Sequence, residues 1–262
     1  MSEIKPATVL PAKRSPVTLP TPDGLRLVGE LALPADADPV ATLICLHPLP
    51  THGGMMDSHI FKKAAFRLPA LAQLAVLRFN TRGTSSEQGT SEGEFGGGES
   101  ERYDVAAAVS WAADAGLPVR WLLGWSFGTE LALKWGLDSA ADPAGHGGAS
   151  PKAPLAPPGI EGAILLSPPL RRAGDDDLDR WAASGKPLVA LIPEFDDYLR
   201  PDEARRRFAR VPTAEVVAVP GAKHLWVGEP YVRIALNEIV RRVNPVALVA
   251  PTMTLPTSWE ES

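Results

Sequence analysis

The sequence has few of the features that mark secreted, membrane-spanning or polyanion-binding proteins. Among its 262 residues Cys45 is the one cysteine, so no disulfide can form within the chain and we expect a reducing compartment. No stretch approaches the run of about eighteen apolar residues that a membrane span needs, and prolines interrupt the N-terminal segment where a signal peptide would lie. The net charge of −5 leaves no dominant basic face for nucleic acid. We therefore expect a soluble cytoplasmic protein with no membrane or nucleic-acid partner.

The hydrophobic residues, 45% of the chain, are enough for one sizeable core and follow a regular order. Apolar runs rich in β-branched residues alternate with segments of helical periodicity, which is typical of a mostly parallel twisted sheet with helices on both faces. The predicted strands are 42–47, 74–80, 119–124, 162–168, 187–193 and 214–220. Helical spacing of apolar residues is found within 61–68, 105–112 and 232–243. Residues 17–34 predict an antiparallel hairpin at an edge of the sheet.

The alternation of strands and helices predicts a single α/β domain over residues 1–262. Residues 1–14 are predicted to form an N-terminal tail. The segments 83–100 and 139–159 are predicted to be mobile loops, because they offer little to bury. Residues 245–262 form an apolar, proline-punctuated C-terminal extension. This extension could pack along the domain or onto another subunit, which would make a homodimer.

Two segments match the Gly-x-Ser-x-Gly pattern, which presents a nucleophilic serine on a sharp turn between a strand and a helix. Ser126, in GWSFG, follows an apolar strand and precedes an amphipathic segment. Ser91, in GTSEG, has polar and Gly-rich flanks without apolar periodicity. We therefore predict that Ser126 is the nucleophile and that Ser91 is an ordinary loop serine.

A nucleophilic serine needs a nearby base, and the base needs a group that orients it. Site residues of parallel sheets collect at the carboxyl ends of strands, so both partners should follow predicted strands downstream of Ser126. Of the five histidines, His224 directly follows the last predicted strand. The preceding strand is followed by three acids, Glu194, Asp196 and Asp197, and spacing alone does not select one.

Several segments, in order along the chain, resemble motifs of the α/β-hydrolase superfamily, in particular of small bacterial serine hydrolases without a lid in the dienelactone-hydrolase-like and esterase groups. The segments are LHPLPTHGGMMD, LRFNTRGTSSEQGTSEGEF, GWSFG, ILLSPP and PGAKHLW. The resemblance implies an α/β-hydrolase fold and a Ser-Asp-His triad. In the family's acid loop, Gly-x-x-Asp precedes a proline. Here Pro193 replaces the glycine and Pro201 comes one residue late, and the match favours Asp196 over the other two acids.

The resemblance also implies an oxyanion hole made by two backbone N–H groups. One belongs to Phe127, directly after the nucleophile. The other lies in the loop after strand 42–47, where Leu49 stands between two prolines that lack an N–H. Trp125 and Trp226 are predicted to shape the substrate cleft, together with the loop 83–100.

Two other charged residues, Arg82 and Asp104, match family positions. They are interpreted as a structural pair, with a direct substrate role as the alternative.

Three histidines near the first predicted helix are candidates for a metal site. His47, His52 and His59 lack the close spacing of a familiar metal site. We predict neither a metal nor a cofactor.

The expected activity is hydrolysis of small carboxylic esters or thioesters through an acyl-enzyme intermediate. About twenty residues separate ILLSPP from PLVALIP, too few for a helical lid, so we expect an open cleft. Serine instead of cysteine as the nucleophile argues against dienelactone hydrolysis. Two alternatives stay open: a serine peptidase or amidase with the same triad, and a catalytically idle scaffold that binds a small ligand or a protein partner.

Overall fold

The structure of the protein is a computed structural model that describes residues 2–137, 159–250 and 252–260. The predicted loop 139–159 therefore lies outside the described residues except for Gly159, and so does His146.

The described residues form twelve strands and six α-helices. The strands are β1 (Ser2–Glu3), β2 (Lys13–Pro20), β3 (Arg26–Leu33), β4 (Ala41–Leu46), β5 (Leu74–Phe79), β6 (Ser85–Ser86), β7 (Gly89–Thr90), β8 (Arg120–Trp125), β9 (Gly162–Leu166), β10 (Leu188–Phe195), β11 (Ala214–Lys223) and β12 (Ser258–Trp259). The helices are α1 (His59–Ala72), α2 (Arg102–Asp114), α3 (Phe127–Trp135), α4 (Asp175–Ser184), α5 (Pro201–Phe208) and α6 (Glu229–Val243).

Eight strands form one mixed sheet in the order β11-β10-β9-β8-β4-β5-β3-β2. The six strands from β11 to β5 pair in parallel, while β3 is antiparallel to both β5 and β2. The predicted mostly parallel sheet and its N-terminal antiparallel hairpin are thus confirmed, and each predicted strand is found within three residues of its expected ends. The parallel strands point their carboxyl ends to one edge, where β8, β10 and β11 deliver the candidate site residues.

Two apolar layers cover the sheet, because alternate residues of each strand face opposite sides. On one side, Ile44 and Leu46 of β4 pack with buried side chains of α2, α3, α4 and α5. On the other side, Leu43 and Cys45 pack with buried side chains of α1 and α6. Strands covered on both faces read as continuous apolar runs, as the sequence pattern predicts.

The described segments near both ends of the chain pack on the domain. β1 pairs with β12 in an antiparallel two-stranded sheet, so the predicted N-terminal tail 1–14 contacts the C-terminal extension. Leu248 and Leu255 of the extension are buried, and the backbone N–H of Leu255 donates to Asn237 of α6. The extension therefore packs along its own domain. The homodimer stays a prediction.

The loop 83–100 is more ordered than the mobile loop that its composition predicts. β6 and β7 form a short hairpin within it. Ser91 is buried: its hydroxyl donates to the carbonyl of Asn80 and accepts from the N–H of Val28. Long-range hydrogen bonds to a neighbouring strand, which composition does not reveal, fix this segment.

Between β9 and β10 the chain forms one helix, α4, with no inserted helical lid. Across the part of the chain that the structure describes, no helix has both the length and the apolar character for crossing a membrane.

Candidate active site

Ser126 lies on a strained turn between β8 and α3. Its φ of 52° and ψ of −115° fall in a region that L-residues rarely adopt. Two glycines make room for the turn: a Cβ on Gly124 would lie 2.6 Å from the carbonyl oxygen of Gly128, and a Cβ on Gly128 would lie 1.8 Å from that of Leu46. The glycines of the Gly-x-Ser-x-Gly pattern are therefore required by backbone packing, and the turn lifts a half-buried Ser126 to the edge of the sheet.

Two hydrogen bonds link the predicted nucleophile, base and acid. The Oγ of Ser126 lies 2.9 Å from Nε2 of His224, and Nδ1 of His224 lies 2.9 Å from Oδ2 of Asp196. Three strands and the loops after them bring these side chains together across 98 and 28 residues of sequence. With Nδ1–H donating to the carboxylate, Nε2 carries the lone pair that can accept the serine proton.

Among the three candidate acids, the structure brings Asp196 to the histidine. Its side chain is buried, and its Oδ1 accepts from the backbone N–H groups of Tyr198 and Leu199. Burial opposes ionisation, but the hydrogen bond to His224, the electrostatic interaction with that ring and the two N–H groups together hold the pKa of Asp196 below its ordinary value. Asp197 is exposed, and Glu194 accepts from the N–H of Gly221 instead.

Trp125 and Trp226, which the sequence predicts to shape the substrate cleft, do not line it. Both are buried in the layer below the sheet with α1 and α6. The indole N–H of Trp125 donates to the carbonyl of His224, and that of Trp226 donates to Oγ of Ser167. Ser167 in turn donates to the same His224 carbonyl. The two tryptophans therefore fix the histidine loop from behind and have no surface left for substrate.

The predicted oxyanion donors belong to segments next to Ser126. Phe127 is the first residue of α3, so its N–H has no acceptor within the helix. Leu49 lies in the loop after β4, and the loop's orientation depends on His47, whose Nδ1 is 2.7 Å from the carbonyl oxygen of Pro48. In a trans peptide the C=O and N–H point in opposite directions. The bond from His47 therefore turns the N–H of Leu49 away from the sheet interior.

His47 is fully buried and held as a neutral ring. Its Nε2 accepts from the backbone N–H of Thr81 at 3.0 Å, which leaves Nδ1 as the donor to Pro48. Burial lowers the pKa of His47 to about 4, although the bond to the Pro48 carbonyl opposes this shift. The ring therefore stays neutral across the physiological range.

Arg82 and Asp104 form the predicted structural pair. The backbone N–H, Nε and one terminal nitrogen of Arg82 all contact the buried carboxylate of Asp104, and the guanidinium also pairs with Asp23. The pair ties the loop 83–100 to α2. Phe95, in that loop, packs edge-on against Phe127 with 5.4 Å between ring centroids, so the loop does border the site.

Sequence reasoning missed three residues that position the site. His47 and Ser167 both directly follow strands, which is the signal that could have identified them. Glu130 lies on α3 four residues after Ser126, and its buried carboxylate accepts from the backbone N–H groups of residues 171–173. A glutamate in an apolar helix face indicates a polar partner, but not which one.

No protein-family model and no curated protein matches the sequence, while many solved structures match the fold. A serine hydrolase homologue from Coxiella burnetii is 22% identical with a TM-score of 0.68, covering 87% of this chain and 97% of that one. A serine hydrolase without a lid from Xanthomonas campestris is 25% identical with a TM-score of 0.66, covering 89% and 96%. An esterase from Pyrococcus furiosus is 19% identical with a TM-score of 0.65, covering 92% and 98%. The chain thus has the α/β-hydrolase fold, and its described segment between β9 and β10 contains no inserted lid.

Proposed function

We propose that the protein is a serine hydrolase that cleaves carboxylic esters or thioesters through an acyl-enzyme intermediate. The observation that carries the proposal is the pair of 2.9 Å hydrogen bonds from Ser126 through His224 to Asp196. The strained turn at Ser126 and the family resemblance support it. A serine with a purely structural role would need neither a positive φ nor a hydrogen bond to a buried histidine.

In the acylation half, Ser126 attacks the carbonyl carbon of the substrate. His224 takes the hydroxyl proton at Nε2 as the new C–O bond forms, and Asp196 stabilises the resulting imidazolium. The N–H groups of Leu49 and Phe127 donate to the oxyanion, where one such donor is typically worth about 3 kcal/mol in the transition state. The tetrahedral intermediate then breaks its bond to the leaving alcohol or thiol, which receives the proton from His224.

In the deacylation half, water replaces the leaving group. His224 removes a proton from the water as the water oxygen attacks the acyl carbon. The bond between that carbon and Oγ of Ser126 breaks, Ser126 regains its proton from His224, and a carboxylic acid leaves. Each catalytic group returns to its starting protonation state.

Replacement of the nucleophile tests this function. A panel of 4-nitrophenyl esters and thioesters of graded acyl length should be hydrolysed by the wild-type protein. Ser126→Ala should lower kcat by about 10⁶, because removal of a triad nucleophile leaves only binding and oxyanion stabilisation. The matched control is Ser110→Ala on α2, where the hydroxyl makes one weak bond to Asp114. Retention of ester hydrolysis by Ser126→Ala would show that the assignment is wrong.

A further inference from the structure

Two arginines border the candidate triad, on the segment that joins β9 to α4. The guanidinium carbon of Arg171 lies 4.5 Å from the ring centroid of Tyr198, and the Tyr198 ring lies 4.5 Å from that of His224. These two distances limit the separation between the Arg171 guanidinium and the His224 ring to about 9 Å. The guanidinium of Arg172 lies 5.2 Å from the ring of Phe127, directly after the nucleophile.

Neither guanidinium is neutralised by an acid of the described residues. Among residues 2–137, 159–250 and 252–260, no carboxylate lies within ion-pair distance of Arg171 or Arg172, and the one polar bond of their guanidiniums runs from Nε of Arg172 to the carbonyl of Gly97. The acids of the neighbouring loop have other partners: Glu99 pairs with Lys134, and Glu101 accepts from two backbone N–H groups. Both arginines are exposed and keep N–H donors for a ligand.

The backbone that carries the two arginines is hydrogen-bonded to α3, the helix that begins after Ser126. Glu130 is buried on α3, and its carboxylate accepts the backbone N–H groups of Arg171, Arg172 and Ala173 at 2.7, 3.1 and 2.5 Å. Because α3 begins directly after Ser126, this bonding fixes the arginine segment relative to the nucleophile. The stacking of each guanidinium on an aromatic ring further restricts where the charges lie.

We propose that this arginine pair is a subsite for an anionic substituent, so that the preferred substrates are esters or thioesters carrying a carboxylate on the acyl chain. This proposal rests on the proposed hydrolase function. A guanidinium binds a carboxylate through parallel N–H donors, and two cations near the nucleophile attract such a substrate and orient its carbonyl. The half-exposed ring of Tyr198 lies between His224 and Arg171 and offers an apolar surface for the intervening chain.

The charges around the pair favour a monoanion over a phosphate dianion. Three acids, Asp175, Asp176 and Asp177, begin α4 only three residues after Arg172, and the carboxylate of Glu130 lies beneath the segment. Like charges in this neighbourhood penalise a dianion more than a single carboxylate.

Two substrates that differ only in charge test the subsite. The probes are mono-(4-nitrophenyl) adipate and its methyl ester, which carry the same acyl chain with and without a free carboxylate. The wild-type kcat/KM should be higher for the free acid, and this preference should shrink as sodium chloride is raised. In the double variant Arg171→Gln/Arg172→Gln the ratio of the two kcat/KM values should fall about tenfold or more.

The matched control is Arg241→Gln, which removes one positive charge in the last turn of α6, at the end of that helix remote from the His224 loop. It should leave the ratio unchanged. A double variant with the wild-type ratio overturns the subsite while leaving the hydrolase function standing, since both esters are still cleaved. If the wild-type protein cleaves neither of the two esters, both proposals are overturned.

Discussion

At the scale of single residues, the choice among the three candidate acids shows where sequence reasoning stops. Three acids lie at the end of β10 or directly after it, and the family's loop pattern favours Asp196 on an imperfect match. The structure adds what spacing lacks: Asp196 is buried and contacts His224, while Asp197 is exposed. A carboxylate that accepts two backbone N–H groups and one imidazole N–H is held in one orientation, as a base-orienting group must be.

The exchange of single carboxylates for amides tests this choice. Asp196→Asn should lower kcat for ester hydrolysis by about 10⁴, because an amide in that place favours the wrong imidazole tautomer. Asp197→Asn is the control, and its kcat should stay close to that of the wild type. Steady-state kinetics with one aryl ester compares the two. If Asp197→Asn shows the large loss and Asp196→Asn does not, the acid is misassigned.

The two tryptophans show a residue-scale limit of another kind. Trp125 and Trp226 stand beside Ser126 and near His224 in the sequence, but both side chains point into the core. Leu225 and Val227, on either side of Trp226, are exposed. Sequence adjacency to a site residue does not determine the side to which a side chain points: Trp125 ends a buried strand, and Trp226 lies in a turn with a φ of 52°.

At the scale of elements, long apolar strands and periodic helices are predictable from sequence. Two-residue strands that depend on contacts with distant segments are not. The strands β4, β5, β8, β9 and β10 are predictable because each contains a continuous buried apolar run with its own signal. β1, β12 and the β6–β7 hairpin are each two residues per strand. Their partners are distant in sequence or held by side chains such as Ser91, so local pattern contains no sign of them.

Close packing of α3 against β4 and β8 leads to a prediction for Gly128, the second residue of α3. Gly128→Ala should destabilise the protein by about 2 kcal/mol or more and reduce ester hydrolysis, because the added methyl group would overlap the carbonyl oxygen of Leu46 and force α3 outward. Thermal and urea unfolding measure the change. Gly159→Ala, where a Cβ meets no atom of the described residues within 4 Å, is the control. Equal stability of the two variants would mean that α3 does not pack as described.

At the scale of the whole molecule, the buried His47 links folding stability to pH. Its pKa is lowered to about 4 in the folded protein, so the unfolded chain, in which the pKa is ordinary, takes up the proton first as the pH falls. The stabilising contribution is complete above pH 6.5 and is lost between about pH 6.5 and pH 4, which corresponds to about 3 kcal/mol.

Urea unfolding at a series of pH values measures this contribution. The free energy of unfolding should fall less steeply between pH 6.5 and pH 4.5 in His47→Gln than in the wild type. His52→Gln, at an exposed position, should keep the wild-type slope. Parallel slopes for wild type and His47→Gln would show that the ring is not held neutral by burial.

The proposed activation of Ser126 by the fold is tested most directly by covalent labelling. Folded wild-type protein treated with a fluorophosphonate probe should gain one adduct by intact-mass measurement, located on Ser126 by peptide mapping. Ser126→Ala should gain none, and His224→Ala should react far more slowly, because the hydroxyl then lacks its base. Absence of labelling on the folded protein would contradict the proposed activation of Ser126 and favour a scaffold that binds without catalysing, and labelling at another serine would show that Ser126 is not the nucleophile.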